Sequence, residues 1–259
     1  MRNTQKIVQM KKLSLIFGLI LSVLLFSYFV LKQEPQFSDI KELNLNDNVK
    51  YYELSVFENN IENKNNVWQP TSLDSVEYIE KHYFDKNGMN DSMVVLYNNS
   101  KNGLISFYKS KTIYTQSTSN NEYSKMYDED SKVILTTEIN WISKNNYKLY
   151  YSDQQNTLNI EEEIWLNEDF VGTKFEKKVY HVPEINGLVQ HTLIERFLDD
   201  NKQISKEVVH DKILKSSRTS NLIIQKKDNA SNPTELVYME NSKIERLEIR
   251  KYEYYLSFE

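Results

Sequence analysis

Hydrophobic positions follow two patterns along this chain, one long run near the start and a short-period alternation afterwards. The run extends over nineteen residues from Leu13 to Leu31, carries no charge, and has lysines on both sides. At about 1.5 Å per residue, a helix of that length covers a bilayer core of about 30 Å. The run is longer than the apolar part of a secretory signal and lacks its small-residue cleavage site. It therefore predicts an uncleaved transmembrane anchor, with cleavage as the alternative.

The charges around this run predict its orientation. Residues 1–12 contain four basic side chains and no acidic one. Such a bias predicts that residues 1–12 are cytoplasmic and that the remainder lies outside. A start at Met10 instead of Met1 would leave this topology unchanged. The sequence thus predicts a single-pass, signal-anchored protein of the bacterial cytoplasmic membrane.

Beyond the anchor, apolar and polar residues alternate with the period of a β-strand. In Leu158–Leu166 the apolar residues share one face, which only Glu162 interrupts. Tyr52, Leu54 and Val56 form a similar face. In the segment 247–254 the alternation shifts by one position near Lys251, which predicts a β-bulge. These patterns favour strands, although 189–198 or 204–214 could form a short helix.

Turn residues separate the predicted strands. Three Asn-Gly pairs, at 87–88, 102–103 and 186–187, are typical of tight hairpins because both residues tolerate positive φ. The predicted fold class is mainly β: a transmembrane helix followed by an antiparallel β-meander of about ten to fourteen strands. The meander would form an open sheet, half-barrel or sandwich, and the sequence decides neither strand order nor closure. Residues 32–48 are predicted to be a tether, 49–259 the β domain, and 58–75 a long loop.

Charge and cysteine content restrict the possible partners. The chain contains no cysteine, so core packing alone must stabilise the domain. The whole chain carries a formal charge of −5 and residues 1–12 contribute +4, which leaves −9 on residues 13–259. That charge disfavours nucleic acid and anionic lipid headgroups as partners. We predict a membrane contact through Leu13 to Leu31, a protein partner, and lipid as a further possibility.

Two predicted turns resemble a known hairpin family. Tyr83-Phe84-Asp85-Lys86-Asn87-Gly88 and Met126-Tyr127-Asp128-Glu129-Asp130-Ser131 are similar to the aromatic–Asp–x–x–Gly hairpins of bacterial YD-type envelope repeats, although only the first contains the glycine. The resemblance covers two or three hairpins without a strict period. It implies structural hairpins and assigns no functional residue.

Histidines offer little support for catalysis or metal binding. His82, His181, His191 and His210 lack the i, i+4 spacing of a helical zinc site, and no cysteine could complete one. His210-Asp211 could form half of a catalytic dyad, but no Gly-x-Ser-x-Gly motif supplies a nucleophile. We therefore predict no catalytic residue, no metal and no cofactor.

Acidic and aromatic clusters are the remaining candidates. Glu161 and Glu163 should share one strand face and Glu162 the other, so Glu162 points to the apolar side. The segment 85–88 begins like a calcium loop but does not complete the motif. Trp68, Trp141 and Trp165 could stack on sugars, although core and cross-strand packing is the favoured interpretation.

Three functional hypotheses follow. The first is a non-enzymatic binding or scaffold module held at the membrane. The second is a lipid- or lipoprotein-handling envelope domain, which requires a contiguous apolar trough open at one end. The third is an envelope hydrolase, in which Glu162, His210 or another ionisable group converges in a cleft with a shifted pKa.

Overall fold

A computed structural model describes residues 38–46, 48–98, 107–114, 122–154, 158–180 and 188–255. They belong to one compact unit, Phe37–Glu259. Residues 1–37, which include the predicted cytoplasmic segment and the predicted anchor, lie outside the described residues. The same holds for His181 and for the Asn-Gly pairs at 102–103 and 186–187.

The described chain consists almost entirely of strands. A short helix, α1, spans Asp39–Glu42, and a 3-10 turn spans Leu73–Ser75. The strands are β1 Val49–Phe57, β2 Ile61–Lys64, β3 Val67–Pro70, β4 Tyr78–Phe84, β5 Asn90–Asn98, β6 Phe107–Tyr114, β7 Glu122–Tyr127, β8 Val133–Ser143, β9 Asn146–Ser152, β10 Leu158–Leu166, β11 Gly172–Tyr180, β12 Leu188–Leu198, β13 Ile204–Asp211, β14 Ser216–Lys227, β15 Pro233–Glu240 and β16 Lys243–Tyr254.

Fourteen of these strands close into a single barrel. From β4 to β16 each strand pairs antiparallel with the next, and β1 lies between β4 and β16. The closing pair aligns Tyr52 with Tyr252 and Val56 with Glu248. The predicted open sheet, half-barrel or sandwich is therefore wrong. Each of those folds leaves strand edges bare or divides the sheet, whereas β1 hydrogen-bonds to a neighbour on both sides.

The predicted transmembrane helix also requires correction. The structure's α1 has four residues, about 6 Å of helix. In the part of the chain that the structure describes, no helix has the length and apolar character needed to span a membrane. Leu13–Leu31 lies outside those residues. No element of the described chain corresponds to the predicted anchor, and the single-pass, signal-anchored topology at the cytoplasmic membrane is not supported.

Five hairpins share one turn geometry. In each, an Asp or Asn side chain accepts a hydrogen bond from the backbone N–H four residues later. The residue three positions on has positive φ, between 59° and 78°. The turns begin at Asp85, Asp128, Asn167, Asp199 and Asp228. The first two are the turns that resemble YD-type hairpins, and kinship with that family stays a prediction.

A small hairpin covers part of the outer wall. Strands β2 and β3 pair through a two-residue turn, Asn65-Asn66, in which both residues have positive φ. The side-chain amide of Gln225 hydrogen-bonds both N (2.7 Å) and O (3.0 Å) of Trp68, which ties the hairpin to β14. Trp68 and Ile61 pack on a cluster that contains Leu247, 1% exposed. Residues 58–75 are thus no open loop, and 189–198 and 204–210 are strands.

Residues 38–46, which we call the plug, lie across one end of the barrel. The Ser38 side chain caps α1, and Ile40 is 2% exposed. The Ile40 N–H donates to the carbonyl of Gly88 in the β4–β5 turn (3.2 Å). The Asn46 N–H donates to the side chain of Asn232 in the β14–β15 turn (2.8 Å). The plug was predicted to be a tether. Its hydrogen bonds to the β4–β5 turn and to the β14–β15 turn instead hold it against the barrel.

Candidate functional site

Within the part of the chain that the structure describes, the barrel interior contains at least two cavities, and Leu43 and His82 line both of them. The first, of about 240 Å³, is called the arginine cavity after Arg196, Arg246 and Arg250 in its wall. The second, of about 260 Å³, is called the tyrosine cavity. It is lined by the tyrosines 114, 123, 147 and 151.

Charges in the arginine cavity are paired with one another, although the buried Nε of Arg246 has no well-aligned hydrogen bond within the described chain. The Glu248 carboxylate lies 2.5 Å from Nη2 of Arg250 and 3.2 Å from Nε of Arg246. Arg196 Nε donates to Glu207 at 3.1 Å. Burial raises the pKa of Glu248, but Arg250 and Arg246 outweigh it and hold that pKa below its ordinary value. This wall is therefore an internally paired network.

The tyrosine cavity is built around three pairs, each of a tyrosine hydroxyl and a carboxyl. The hydroxyl of Tyr123 donates to Asp39 Oδ1 (3.0 Å) and that of Tyr151 to Glu162 Oε2 (2.9 Å). The third pair joins Tyr147 to Glu42 Oε2 at 2.5 Å. Asp39 and Glu42 come from the plug, whereas Glu162 comes from β10. Among the described residues, the lining includes these three carboxyls but no lysine or arginine.

Burial changes the acidity of the plug carboxyls. Removal from water raises the pKa of Glu42 to about 7, against the opposing hydrogen bond from Tyr147. Burial likewise raises the pKa of Asp39, although the Asn90 N–H (2.6 Å) and the Tyr123 hydroxyl oppose the shift. Neither acid lies in an ion pair with a basic side chain in the described structure. Near neutral pH this cavity therefore gains or loses protons readily.

Three further polar atoms in the same wall have no hydrogen-bond partner among the described residues. They are Nδ1 of His82, Oδ1 of Asn90 and Oγ1 of Thr112. Their residues are 7%, 9% and 5% exposed. The other ring nitrogen of His82, Nε2, lies 3.3 Å from the Glu80 carboxylate. If that nitrogen carries the proton, Nδ1 is a bare acceptor.

The remainder of the tyrosine cavity is mainly apolar, with Ser124 and Thr137 as its further polar residues in the described lining. Its wall includes Met93, Met126, Leu149, Ile164 and Phe175. Some of these side chains belong to a buried cluster that also contains Tyr147. The cavity therefore combines an apolar lining with carboxyl, hydroxyl and unpartnered acceptor groups.

The histidines proposed from sequence are not brought together. His191 lies on the outer wall with Nε2 at 2.6 Å from Glu176, and His210 lies there with Nε2 at 3.1 Å from Glu195. Asp211 instead accepts backbone N–H bonds within the β13–β14 turn, so it forms no dyad with His210. Of the described histidines, His82 alone lines a cavity. Among the described residues no group of His, Asp and Glu could hold a metal ion.

The three consecutive glutamates divide between the two faces of β10 as predicted. Glu162 points inward and lines the tyrosine cavity, with Lys177 Nζ at 3.1 Å. Glu161 and Glu163 point outward, and Lys148 Nζ lies 3.3 Å from each. On the lipid face of a barrel, a lysine costs about 2–4 kcal/mol at the bilayer midplane, and a glutamate costs less. This part of the outer wall is a surface suited to water.

Aromatic side chains mainly serve packing. Trp141 and Tyr147 are directly opposed on β8 and β9, with ring centroids 4.7 Å apart. Trp165 lies outside under Lys174, whose Nζ is 4.5 Å from the ring centroid. Asp85, in the segment that begins like a calcium loop, accepts backbone hydrogen bonds within its own turn.

Asp39 and Glu42 were missed from the sequence because they fall in a segment interpreted as a tether. A weak signal does exist there. Ser38 is a good helix-capping residue, and Ile40 and Leu43 recur three residues apart, as on one helix face. A helix of only four residues leaves too little pattern to stand out from a polar linker.

Comparisons with known proteins identify no family. No protein-family model matches the chain, and no curated protein matches it. Solved structures that match the chain weakly include porin-like proteins from Bacteroides uniformis (9% identity, TM-score 0.37, 79% of this chain and 98% of that one) and Bacteroides vulgatus (10%, 0.26, 80% and 99%). Another is a DUF1329 family protein from Desulfovibrio piger (8%, 0.24, 82% and 89%). At these scores the likenesses carry no functional conclusion for this chain.

Proposed function

We propose that this barrel is a non-enzymatic binding module that takes a small, water-soluble molecule into its interior. The observation that carries the proposal is the tyrosine cavity, about 260 Å³ in volume and lined by both apolar and hydrogen-bonding groups. An apolar cavity of about 150 Å³ is already large enough to hold benzene. A ligand of moderate size therefore has room beside the polar groups that would orient it.

The composition of the interior favours this function over lipid handling. An acyl chain requires a continuous apolar trough, whereas both cavity walls carry ionisable side chains. The Glu248, Arg246 and Arg250 network occupies the wall of one cavity, and three carboxyls occupy the wall of the other. Placing methylene groups against these side chains would remove their hydration without replacing it.

A hydrolase is also less well supported. Asp39, Glu42 and Glu162 do converge on one cavity, and the pKa of Glu42 is raised. Each carboxyl, however, accepts a hydrogen bond from a tyrosine hydroxyl, an arrangement that fixes the position of the acid and occupies one of its oxygens. Such fixed polar groups suit recognition of a bound molecule. The protein partner predicted from the sequence stays a prediction.

Native mass spectrometry of the purified full chain tests the proposal. We expect a one-to-one complex with a small molecule, either retained from the expressing cells or captured from a panel of polar metabolites. Ser124→Phe places a ring into the tyrosine cavity, whose wall includes the 4% exposed Ser124, and should abolish the complex. Ser217→Phe adds the same ring to an exposed position on β14 and should leave it intact.

Two results would overturn the proposal. One is a chain that stays free of ligand against the whole panel while remaining folded by circular dichroism. The other is a complex that both phenylalanine variants retain equally, because its ligand would then lie outside the tyrosine cavity. A stoichiometric acyl-chain ligand would move the lipid-handling alternative to first place.

A further inference from the structure

The chemistry of the tyrosine cavity defines the class of its ligand. We propose that it binds an organic cation, a small amphiphile with one primary ammonium group and an apolar body. This inference rests on the proposed function, since it requires that the cavity be the binding site. Its basis is a group of carboxyls with no lysine or arginine among the described lining residues, together with three buried polar atoms that have no hydrogen-bond partner there.

Charge is the first argument. Asp39, Glu42 and Glu162 line the cavity, and none of its described lining residues is a lysine or arginine that would neutralise them from within. Lys177 pairs with Glu162, whereas the two plug acids form hydrogen bonds and no close ion pair in the described chain. Arg196 acts on Glu42, and His82 on Asp39, only through longer-range electrostatic attraction. An anionic ligand would add repulsion to this site. A cationic ligand would supply the positively charged partner that Asp39 and Glu42 do not have close by in the described chain.

The unpartnered atoms are the second, independent argument. Nδ1 of His82 and Oδ1 of Asn90 are acceptors when the His82 Nε2–H donates to Glu80, and the Thr112 hydroxyl can accept as well. A buried acceptor without a donor is costly, about 1–3 kcal/mol. A primary ammonium carries three N–H donors, whereas a quaternary ammonium carries none. The wall therefore favours the primary amine.

The aromatic and apolar groups account for the rest of the ligand. Tyr114, Tyr123, Tyr147 and Tyr151 present rings of the kind that attract cations through their faces. Met93, Met126 and Phe175 offer an apolar surface to the ligand body. A bare metal ion fits this wall poorly, and among the described residues no group of His, Asp and Glu is arranged to hold one.

Paired probes of equal shape test the inference. Calorimetric titration of the full chain with 2-phenylethylammonium and with 2-phenylethanol compares an ammonium with a hydroxyl on one apolar body. We expect the ammonium to bind at least about tenfold more tightly, the effect of one charge-assisted hydrogen bond. Glu42→Gln should remove about tenfold of the ammonium affinity and leave alcohol binding within about twofold. Glu161→Gln, on the outer face of β10, should change neither.

Thr112→Val provides a variant that keeps the fold. It replaces an unpartnered buried hydroxyl by a methyl group of similar shape, so it should raise the melting temperature. It should nevertheless weaken ammonium binding by about three- to tenfold, which a purely structural role would not explain. Thr219→Val, at an exposed position of β14, should leave both quantities unchanged.

The outcomes separate this inference from the proposed function. Equal affinity for the ammonium and the alcohol, or an unchanged ratio in Glu42→Gln, overturns the cationic ligand. If neither probe binds while native mass spectrometry detects another molecule that Ser124→Phe removes, the cation inference fails and the binding function stands. If neither probe binds and no such molecule is found, both fail.

Discussion

The hydroxyl of Tyr147 on β9 donates a hydrogen bond to the carboxyl of Glu42 in the plug, at 2.5 Å. This contact joins residues 105 positions apart and ties the barrel end to the wall of the tyrosine cavity. Because the carboxyl is removed from water, the same contact couples the stability of the plug to proton binding.

Stability should therefore depend on pH through Glu42. Its pKa of about 7 in the folded chain exceeds the ordinary 4.5, so the folded state holds the proton more firmly. The contribution is full below about pH 4.5 and is lost as the pH rises to about 7. Relative to Glu42→Gln, the natural chain should lose up to about 3 kcal/mol of unfolding free energy across that range. Urea unfolding at a series of pH values measures the difference, and parallel curves for the two chains would contradict it.

The Tyr147 hydroxyl should itself contribute to stability. Tyr147→Phe removes the donor to Glu42 and leaves the acid without that partner, at a cost of about 1–3 kcal/mol. For a domain of this size each kcal/mol corresponds to about 2–4 °C in melting temperature. As a control, Tyr150→Phe changes a tyrosine of the same strand that faces outward, and it should shift the melting temperature by less than about 2 °C. Equal shifts in the two variants would show that the plug contact contributes nothing.

Gly88 should be intolerant of a side chain. Its φ of +78° disfavours other residues, and an added Cβ would lie 3.1 Å from Ile40 Cδ1 and 3.2 Å from Ser38 Oγ. Gly88→Ala should cost about 1–3 kcal/mol and loosen the plug. Ser131 holds the equivalent turn position with a φ of 61° and is exposed, so Ser131→Gly should gain up to about 1 kcal/mol. Denaturant unfolding measures the change in free energy for both variants. A Gly88→Ala chain as stable as the natural one would contradict the tight contact between Gly88 and the plug.

Glu248 should be essential to the arginine cavity. Glu248→Gln leaves Arg246 and Arg250 without their shared carboxylate, at a cost of about 3–5 kcal/mol. Glu253→Gln alters an exposed residue of the same strand and should stay within about 0.5 kcal/mol. Replacing Arg250 by Met in the Glu248→Gln background should recover part of the loss. If it recovers none, the cost did not come from the uncompensated arginine.

Local features of the sheet could be predicted where only one face of a strand is apolar. The segment 158–166 forms β10 with Glu162 on the inner face, as its alternation indicates. The bulge predicted near Lys251 is wrong, because the register between β1 and β16 is regular there. The alternation shifts for another reason. Leu247 is buried outside beneath the β2–β3 hairpin, whereas Tyr252 packs against the inner cluster.

Closure and the cavity lay beyond sequence analysis for a physical reason. Strand pairing between β1 and β16 depends on partners such as Glu53 and Lys251, 198 positions apart, which no local pattern encodes. The described lining of the tyrosine cavity comes from the plug and from eight strands, β4 to β11. Each of these strands shows only an ordinary alternation of residues in its own sequence. Glu162 stands out in the sequence because it interrupts an apolar strand face. Asp39 and Glu42, which line the same cavity, interrupt no such face.

The β1–β16 seam has a consequence for how the molecule folds. Its two strands are the first and last of the barrel, so the wall cannot be completed until the final strand has been made. Before β16 is added, β1 and β15 present unpaired hydrogen-bonding edges, to which strands of other chains could pair. Contacts of such long sequence separation also form slowly. Closure of this seam should therefore be the late, rate-limiting event in folding, and the stage at which the nascent protein most needs protection from self-association.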